Sequence, residues 1–270
     1  MIEVELAGGR IHAEVHGAGP TLVLFHSLLA DQSSFNRVTG SFARHFRVVA
    51  ANLPGFTGSD PVSSGLEAVA DRMADAVREV AGKEKPILLG NGYGGFVALL
   101  LTIRHPGLIS RLVLSDAGAI FSEPGREAFR TMARIVEENG LEAVADIAMR
   151  RLFASDFHTA NPGLVAERRK RFLLTDKAVF LAACHTLAAL DLRSKVAGVK
   201  IPVLIIVGEQ DEATPPAMSR ELAALLPEAK LLVLPGCAHV PQLQAPSEFL
   251  AAVLPFLGIA GSQGSPDFCK

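Results

Sequence analysis

The sequence predicts an α/β fold, a mostly parallel central sheet with helices on both faces and a helical cap inserted between strands. Three observations carry that prediction. Short, continuously apolar runs such as "TLVLFH" (21–26) and "PILLG" (86–90) read as strands buried on both faces. These runs alternate with segments of helical spacing, which favours parallel strands joined by right-handed crossovers. From about 119 to 196 the alternation stops, and four helical segments follow one another with no strand between them.

In chain order, "IEVELAGGRIHAEVHG" alternates as a hairpin of two antiparallel strands would. After "TLVLFH", "FRVVAANLPGFTGSD" is a strand running into a Gly/Pro loop. "LEAVADRMADAVREVA" (66–81) has helical spacing. "PILLG" is followed by "GFVALLLTIRHP", a helix stopped by Pro106, and then by the strand "ISRLVLSDAG" (109–118). The cap segments are "GREAFRTMARIVEENG", "LEAVADIAMRRLFA", "PGLVAERRKRFLL" and "KAVFLAACHTLAALDL". The sheet resumes with "IPVLIIVGEQD" (201–211), a helix around 217–226, "AKLLVLPG" (229–236) and a last helix near 246–257. The expected division is a core of 1–118 and 197–258, a cap of 119–196, and a small polar tail, 259–270, expected to be disordered.

Composition narrows the function classes. Of 270 residues, 49% are hydrophobic, enough for one large core with an insertion, and the formal charge is −2. The densest cationic patch, "ERRKR" (167–171), reads as a solvated helix face rather than a nucleic-acid site. No apolar run approaches the roughly 20 residues that span a bilayer. The N-terminus lacks a basic start followed by an apolar core, so no signal peptide is expected. Cys184, Cys237 and Cys269 are odd in number and form no CxxC pair. That argues against a disulfide framework or a zinc site and favours a reducing, cytoplasmic compartment. The expected partner is a small, mostly apolar molecule, with no cofactor, metal, nucleic acid or membrane.

The most informative stretch is "LLGNGYGGFVALL" (88–100). A strand meets a helix with almost nothing between, which puts the central residue of the turn at positive φ and demands small neighbours. Gly90, Gly94 and Gly95 meet that demand. The pattern is G-x-nucleophile-x-G, yet the central residue is Gly92, which has no oxygen, sulfur or carboxylate. Gly90, Gly92 and Gly95 also fit the G-x-G-x-x-G spacing of a dinucleotide loop, with Asp116 as the acid that follows about 20 residues on. The rest of the chain favours the first reading. "LIIVGEQDEATPP" ends a strand at Asp211, and "LLVLPGCAHVPQLQAP" ends the next at His239. A histidine acting as base needs a carboxylate on its other nitrogen to fix its tautomer. Asp116, at the end of "LVLSD", is the alternative acid; otherwise it would line the pocket or hold the cap.

These motifs resemble the α/β-hydrolase fold family, over roughly residues 10–257. The order nucleophile, acid, histidine matches it, with Gly92 in the nucleophile position. "VLFHSLLA" resembles the family's oxyanion loop, with His26 and Ser27 as pocket candidates. The resemblance implies backbone oxyanion donors at Leu28 and Tyr93. The His-Ser-Leu variant is similar to 3-oxoadipate enol-lactonases, and "ANLPGFTGSD" resembles a family loop with Asn52 in the usual Asp place. It implies hydrolysis of a small ester, lactone or C–C bond.

Gly92 leaves three readings. The chain is a hydrolase whose serine has been replaced, with turnover about 10⁶ lower. Or His239, oriented by Asp211, acts as base on water or substrate, using space left beside Gly92. Or the fold binds a small ligand without catalysis. Ser27, Cys237 and Tyr93 are the other nucleophile candidates. The Ser27 loop is expected to present backbone, Cys237 to point elsewhere and Tyr93 to pack in the core. Arg130, Arg134, Arg150 and Arg151 are candidates to meet a substrate carboxylate. His185 reads as structural.

Overall fold

The computed structural model describes residues 1–62 and 65–259; most of the tail expected at 259–270 lies outside them. The first half of the chain gives β1 (Ile2–Leu6), β2 (Gly9–His16), β3 (Thr21–Phe25), α1 (Asn36–Phe42) and β4 (Arg47–Ala51). It continues with α2 (Leu66–Ala81), β5 (Ile87–Asn91), α3 (Tyr93–Arg104) and β6 (Arg111–Ser115). A helical block follows: α4 (Glu123–Asn139), α5 (Glu142–Leu152), α6 (Ser155–Ala160), α7 (Pro162–Phe172) and α8 (Lys177–Ala189). The sheet closes with β7 (Val203–Gly208), α9 (Pro216–Leu225), β8 (Lys230–Leu234), α10 (Pro241–Gln244) and α11 (Pro246–Phe256).

The eight strands lie in the order β1-β2-β4-β3-β5-β6-β7-β8. β2 is antiparallel to β1 and β4, and every pair from β4 to β8 is parallel. Alternation along the central strands builds two cores, because successive side chains leave opposite faces. Leu22, Leu24, Val48, Leu89 and Val113 pack with Phe35, Phe42 and Phe249, under α1 and α11. Val23, Phe25, Val49, Leu88 and Leu112 pack with Phe96, Val97 and the cap. Among the described residues no single helix is long and apolar enough to cross a membrane.

The cap departs from expectation in one element. It has five helices rather than four, because α6 forms between α5 and α7. α6 buries none of its residues, so it writes no apolar stripe into the sequence. The chain enters and leaves the cap side by side. Ile120 bridges Asp191, and the Arg126 guanidinium donates to the carbonyls of Phe121, Ala188 and Leu190.

The "ERRKR" patch is also not simply a solvated face. Arg168 is 3% exposed, donates to the Ser33 hydroxyl and lies 3.6 Å from Asp31. Arg171 reaches the other Asp31 oxygen at 3.0 Å. These arginines of α7 thus tie the cap to the loop after β3, while Arg169 pairs outward with Glu142 and Asp146.

One close approach positions the site. Gly94, in the first turn of α3, donates its N–H to the His26 carbonyl at 2.9 Å. A Cβ at residue 94 would collide with the Phe25 carbonyl and lie 2.6 Å from the His26 carbonyl oxygen. Both obstacles are backbone, which cannot rotate away. Gly94→Ala is therefore expected to destabilise the fold by about 1–3 kcal/mol, read as a lower midpoint in chemical denaturation.

Candidate active site

The strand–helix turn forms as its glycines predict. Gly92 sits at φ 53° and ψ −119° between β5 and α3, a conformation that L side chains rarely adopt. A side chain there would also force its neighbours to shift. Its Cβ would lie 2.6 Å from His239 Nε2 and 2.6 Å from Ser27 Oγ. The space expected beside Gly92 is therefore occupied, and its occupant is the Ser27 hydroxyl.

His239 and Asp211 come together from the loops after β8 and β7. His239 Nδ1 lies 2.9 Å from Asp211 Oδ2. Asp211 also accepts from the N–H groups of Ala213 and Thr214, at 2.8 and 3.0 Å, and from the Thr214 hydroxyl at 2.6 Å. Burial alone would push the Asp211 carboxyl up, but the His239 imidazole and the Thr214 donors hold it below its ordinary value. An ionised Asp211 fixes the proton on Nδ1 and leaves Nε2 as an acceptor. Nε2 then receives the Ser27 hydroxyl, at 3.1 Å.

Ser27 lines the pocket as a candidate there, but with its hydroxyl, where its loop was expected to present backbone. The cause is His26, which lies beneath the loop rather than among the pocket-lining residues. Its Nε2 accepts from the Leu53 N–H at 3.0 Å, so its Nδ1 carries the proton and donates to the Ser27 carbonyl at 2.8 Å. Ala30 N–H donates to the same carbonyl. With its carbonyl held inward, Ser27 turns its hydroxyl to His239. Leu28 and Tyr93 lie beside it, and their backbone N–H groups meet no acceptor among the described residues. Tyr93 both packs in the core and lines the pocket, and burial pushes its phenol up. Cys237 is buried away from the pocket lining, its thiol pushed up to about 11 by burial. Cys184 is likewise free and buried.

Asp116 does not touch His239. It stands behind Asp211, fully buried, and is not among the pocket-lining residues. Its φ of 55° is the only positive value among described non-glycine residues. It accepts from Gly208 N–H at 2.9 Å and from the Ser115 hydroxyl at 2.6 Å. Burial, followed by the Asp211 charge, pushes its carboxyl well above the ordinary value, so the pair carries one charge rather than two. Asp116, Asp211 and His239 place ligand atoms within 4.8 Å of one another, the one set that could hold a metal among the described residues. Two of those atoms already bond each other.

The sequence reading missed three supporting residues. Thr214 braces Asp211; its spacing of three residues after an Asp is the signal of a side-chain-to-backbone turn. Asn91 donates to the His239 carbonyl at 2.9 Å and accepts from Gln242 at 3.0 Å. No local pattern announces a contact between residues so far apart in sequence.

Above the site the pocket is mostly apolar, with Leu29, Phe96, Phe121, Phe129, Met132 and Leu187 on its walls. Of the four candidate arginines, Arg151 alone lines it. Arg130 is spent on Glu123 and Glu127. A larger cavity of about 520 Å³ adjoins it and shares Phe121, Phe129, Arg151 and Ala213.

The profile of the alpha/beta hydrolase family matches residues 15–253. This chain belongs to the alpha/beta hydrolase family. It is similar to the enol-lactonase from Burkholderia xenovorans, with a TM-score of 0.89, 27% identity, and coverage of 95% of this chain and 100% of that one. It is 28% identical to a pimeloyl-[acyl-carrier protein] methyl ester esterase of Nitrosospira multiformis, over 91% of this chain and 97% of that protein. It is 26% identical to a 2-hydroxy-6-oxo-6-phenylhexa-2,4-dienoate hydrolase of Burkholderia cepacia, over 94% and 93%. Within the alpha/beta hydrolase family the order of elbow, acid and histidine along this chain is the ordinary one.

Two outcomes follow from this electrostatic arrangement. Asp211→Asn should lower kcat/KM by about 10⁴, through loss of the Nδ1 tautomer. Asp116→Asn, which replaces a neutral acid, should change it less than about tenfold. Steady-state assays on one ester separate the two.

His26 supplies a pH dependence. Burial lowers its imidazole to about 4, against help from the Ser27 carbonyl and Asp31. The unfolded chain protonates this histidine below about pH 6.5, whereas the folded chain does so only near 4. Stability is therefore lost as pH falls through that window, by up to about 3 kcal/mol. Denaturation at stepped pH should show the loss, and ¹⁵N NMR should find the His26 ring neutral at pH 5.

Proposed function

We propose that this chain hydrolyses a small, mostly apolar carbonyl compound, an ester or lactone foremost, with His239 as general base and Asp211 holding its tautomer. One observation carries the reading. The unprotonated Nε2 of His239 faces the same pocket as two backbone N–H groups that lack acceptors among the described residues, at Leu28 and Tyr93. A base beside two free donors suits a reaction in which a hydroxyl loses a proton while a carbonyl oxygen gains negative charge. Names of similar proteins support the bond class, since they include an enol-lactonase and a methyl ester esterase.

The pocket suggests the substrate's shape. Aromatic and aliphatic walls take its apolar body, and Arg151 meets an anionic or acceptor end pointing toward the larger cavity. Gly92 contributes no bond to the chemistry; it gives the turn its backbone and leaves its side-chain space to others. A dinucleotide has no comparable support, because this glycine turn lies beside a buried Asp–His pair rather than opening the first strand–helix unit.

The test is a panel of small aryl esters and lactones, assayed on this chain and on His239→Ala. Turnover should fall by about 10³ or more in the variant. Turnover that ignores the substitution, or none on the whole panel, would remove the hydrolytic reading in favour of ligand binding without catalysis.

A further inference from the structure

We propose that Ser27 is the nucleophile, so that the oxyanion loop and the elbow have exchanged chemical roles. The inference rests on the hydrolytic reading above and names the hydroxyl that His239 activates. Four observations converge on it. Ser27 Oγ lies 3.1 Å from His239 Nε2, the only hydrogen bond that hydroxyl makes among the described residues. It stands 2.6 Å from the position a Cβ at residue 92 would take, and so fills the volume an elbow side chain would enter. It lines the apolar pocket together with Gly92 and His239. Its backbone is fixed from below by a neutral, buried His26, so the hydroxyl is aimed before substrate arrives.

The donors fit the exchange. A serine hydrolase of this fold draws one oxyanion donor from the residue after the nucleophile and one from the opposite loop. With Ser27 attacking, Leu28 becomes the residue after the nucleophile and Tyr93 becomes the opposite donor. The same two N–H groups serve, with their assignments reversed. A glycine at 92 suits the arrangement, because a side chain there would push on both the hydroxyl and the imidazole and break their present contact.

The steps balance without a co-reactant other than water. Ser27 Oγ forms a bond to the carbonyl carbon, its proton passes to His239 Nε2, and the carbonyl π pair becomes the oxyanion. The tetrahedral species collapses, the bond to the leaving oxygen breaks, and that oxygen takes the proton from His239. Water then attacks the Ser27 ester and gives a proton to Nε2; the bond from the acyl carbon to Oγ breaks, Oγ takes that proton back from Nε2, and the acid and the free serine hydroxyl are released.

A fluorophosphonate probe tests this on the intact protein. Its phosphorus bonds to the attacking oxygen and fluoride leaves, and peptide mass mapping locates the adduct. The expected result is one adduct, on Ser27, formed in step with loss of ester turnover. It should be absent from Ser27→Ala and His239→Ala, with turnover down by on the order of 10³-fold in each. An adduct on another residue overturns the inference. So does His239-dependent turnover that survives Ser27→Ala without any adduct; that result leaves the hydrolytic reading standing, with water attacked directly by the base. No turnover and no adduct in the unaltered chain removes both.

Discussion

The site depends on one steric constraint: the turn between β5 and α3 is pressed against the end of β3 with no room for side chains between them. Gly94 packs on the carbonyls of Phe25 and His26 and hydrogen-bonds the second. That contact adds to the pairing of β3 with β5 in setting the distance between the two loops. Gly92 and Ser27 are brought face to face as a result, so that a side chain at residue 92 would displace the Ser27 hydroxyl and the His239 ring from their present positions. In this chain the atoms belong to residue 27, and the backbone at residue 92 keeps the positive φ of an elbow without occupying it.

Around this contact, charge is rationed by hydrogen bonding. Two carboxyls, Asp211 and Asp116, are buried within reach of each other, and both suffer the same loss of water. Asp211 has an imidazole partner besides the Thr214 donors and stays ionised. Asp116 has only neutral donors and a negative neighbour, so it holds its proton. A second full charge beside Asp211 would have repelled it and loosened its hold on His239. The cap is joined to this region by a different device, the pairing of Arg168 and Arg171 with Asp31, on the loop that also carries Ser27.

What could be read from the sequence follows from how locally each feature is encoded. The sheet was legible because buried parallel strands must be apolar on both faces, and "TLVLF" and "ILLGN" leave no other reading. The placing of Asp211 and His239 at strand ends was legible because a strand, a turn and a helix each leave their own residues behind. α1 was not, because "NRVTGSF" places Thr39 and Gly40, weak helix formers, at its centre and forms against α10 and α11 rather than by propensity. The direction of the Ser27 side chain was least legible. It is set by His26, whose own orientation is set by the backbone of Leu53, and no short window of sequence contains all three. The family motif speaks only of backbone donation from this loop and says nothing of where the Ser27 side chain turns.

The order of the parts along the chain has a consequence for how the protein is made. Ser27, Leu28 and Tyr93 come early in the chain, on the loop after β3 and at the start of α3. Asp211 arrives after β7, and His239 follows β8, the strand at the sheet's edge, where Asn91 and then Gln242 brace it. Until that edge has docked, the Ser27 hydroxyl has no imidazole beside it. The pocket therefore takes its last wall from the end of the chain, where Ala213, Thr214 and His239 join Ser27, Gly92 and Tyr93 only once β7 and β8 are in place.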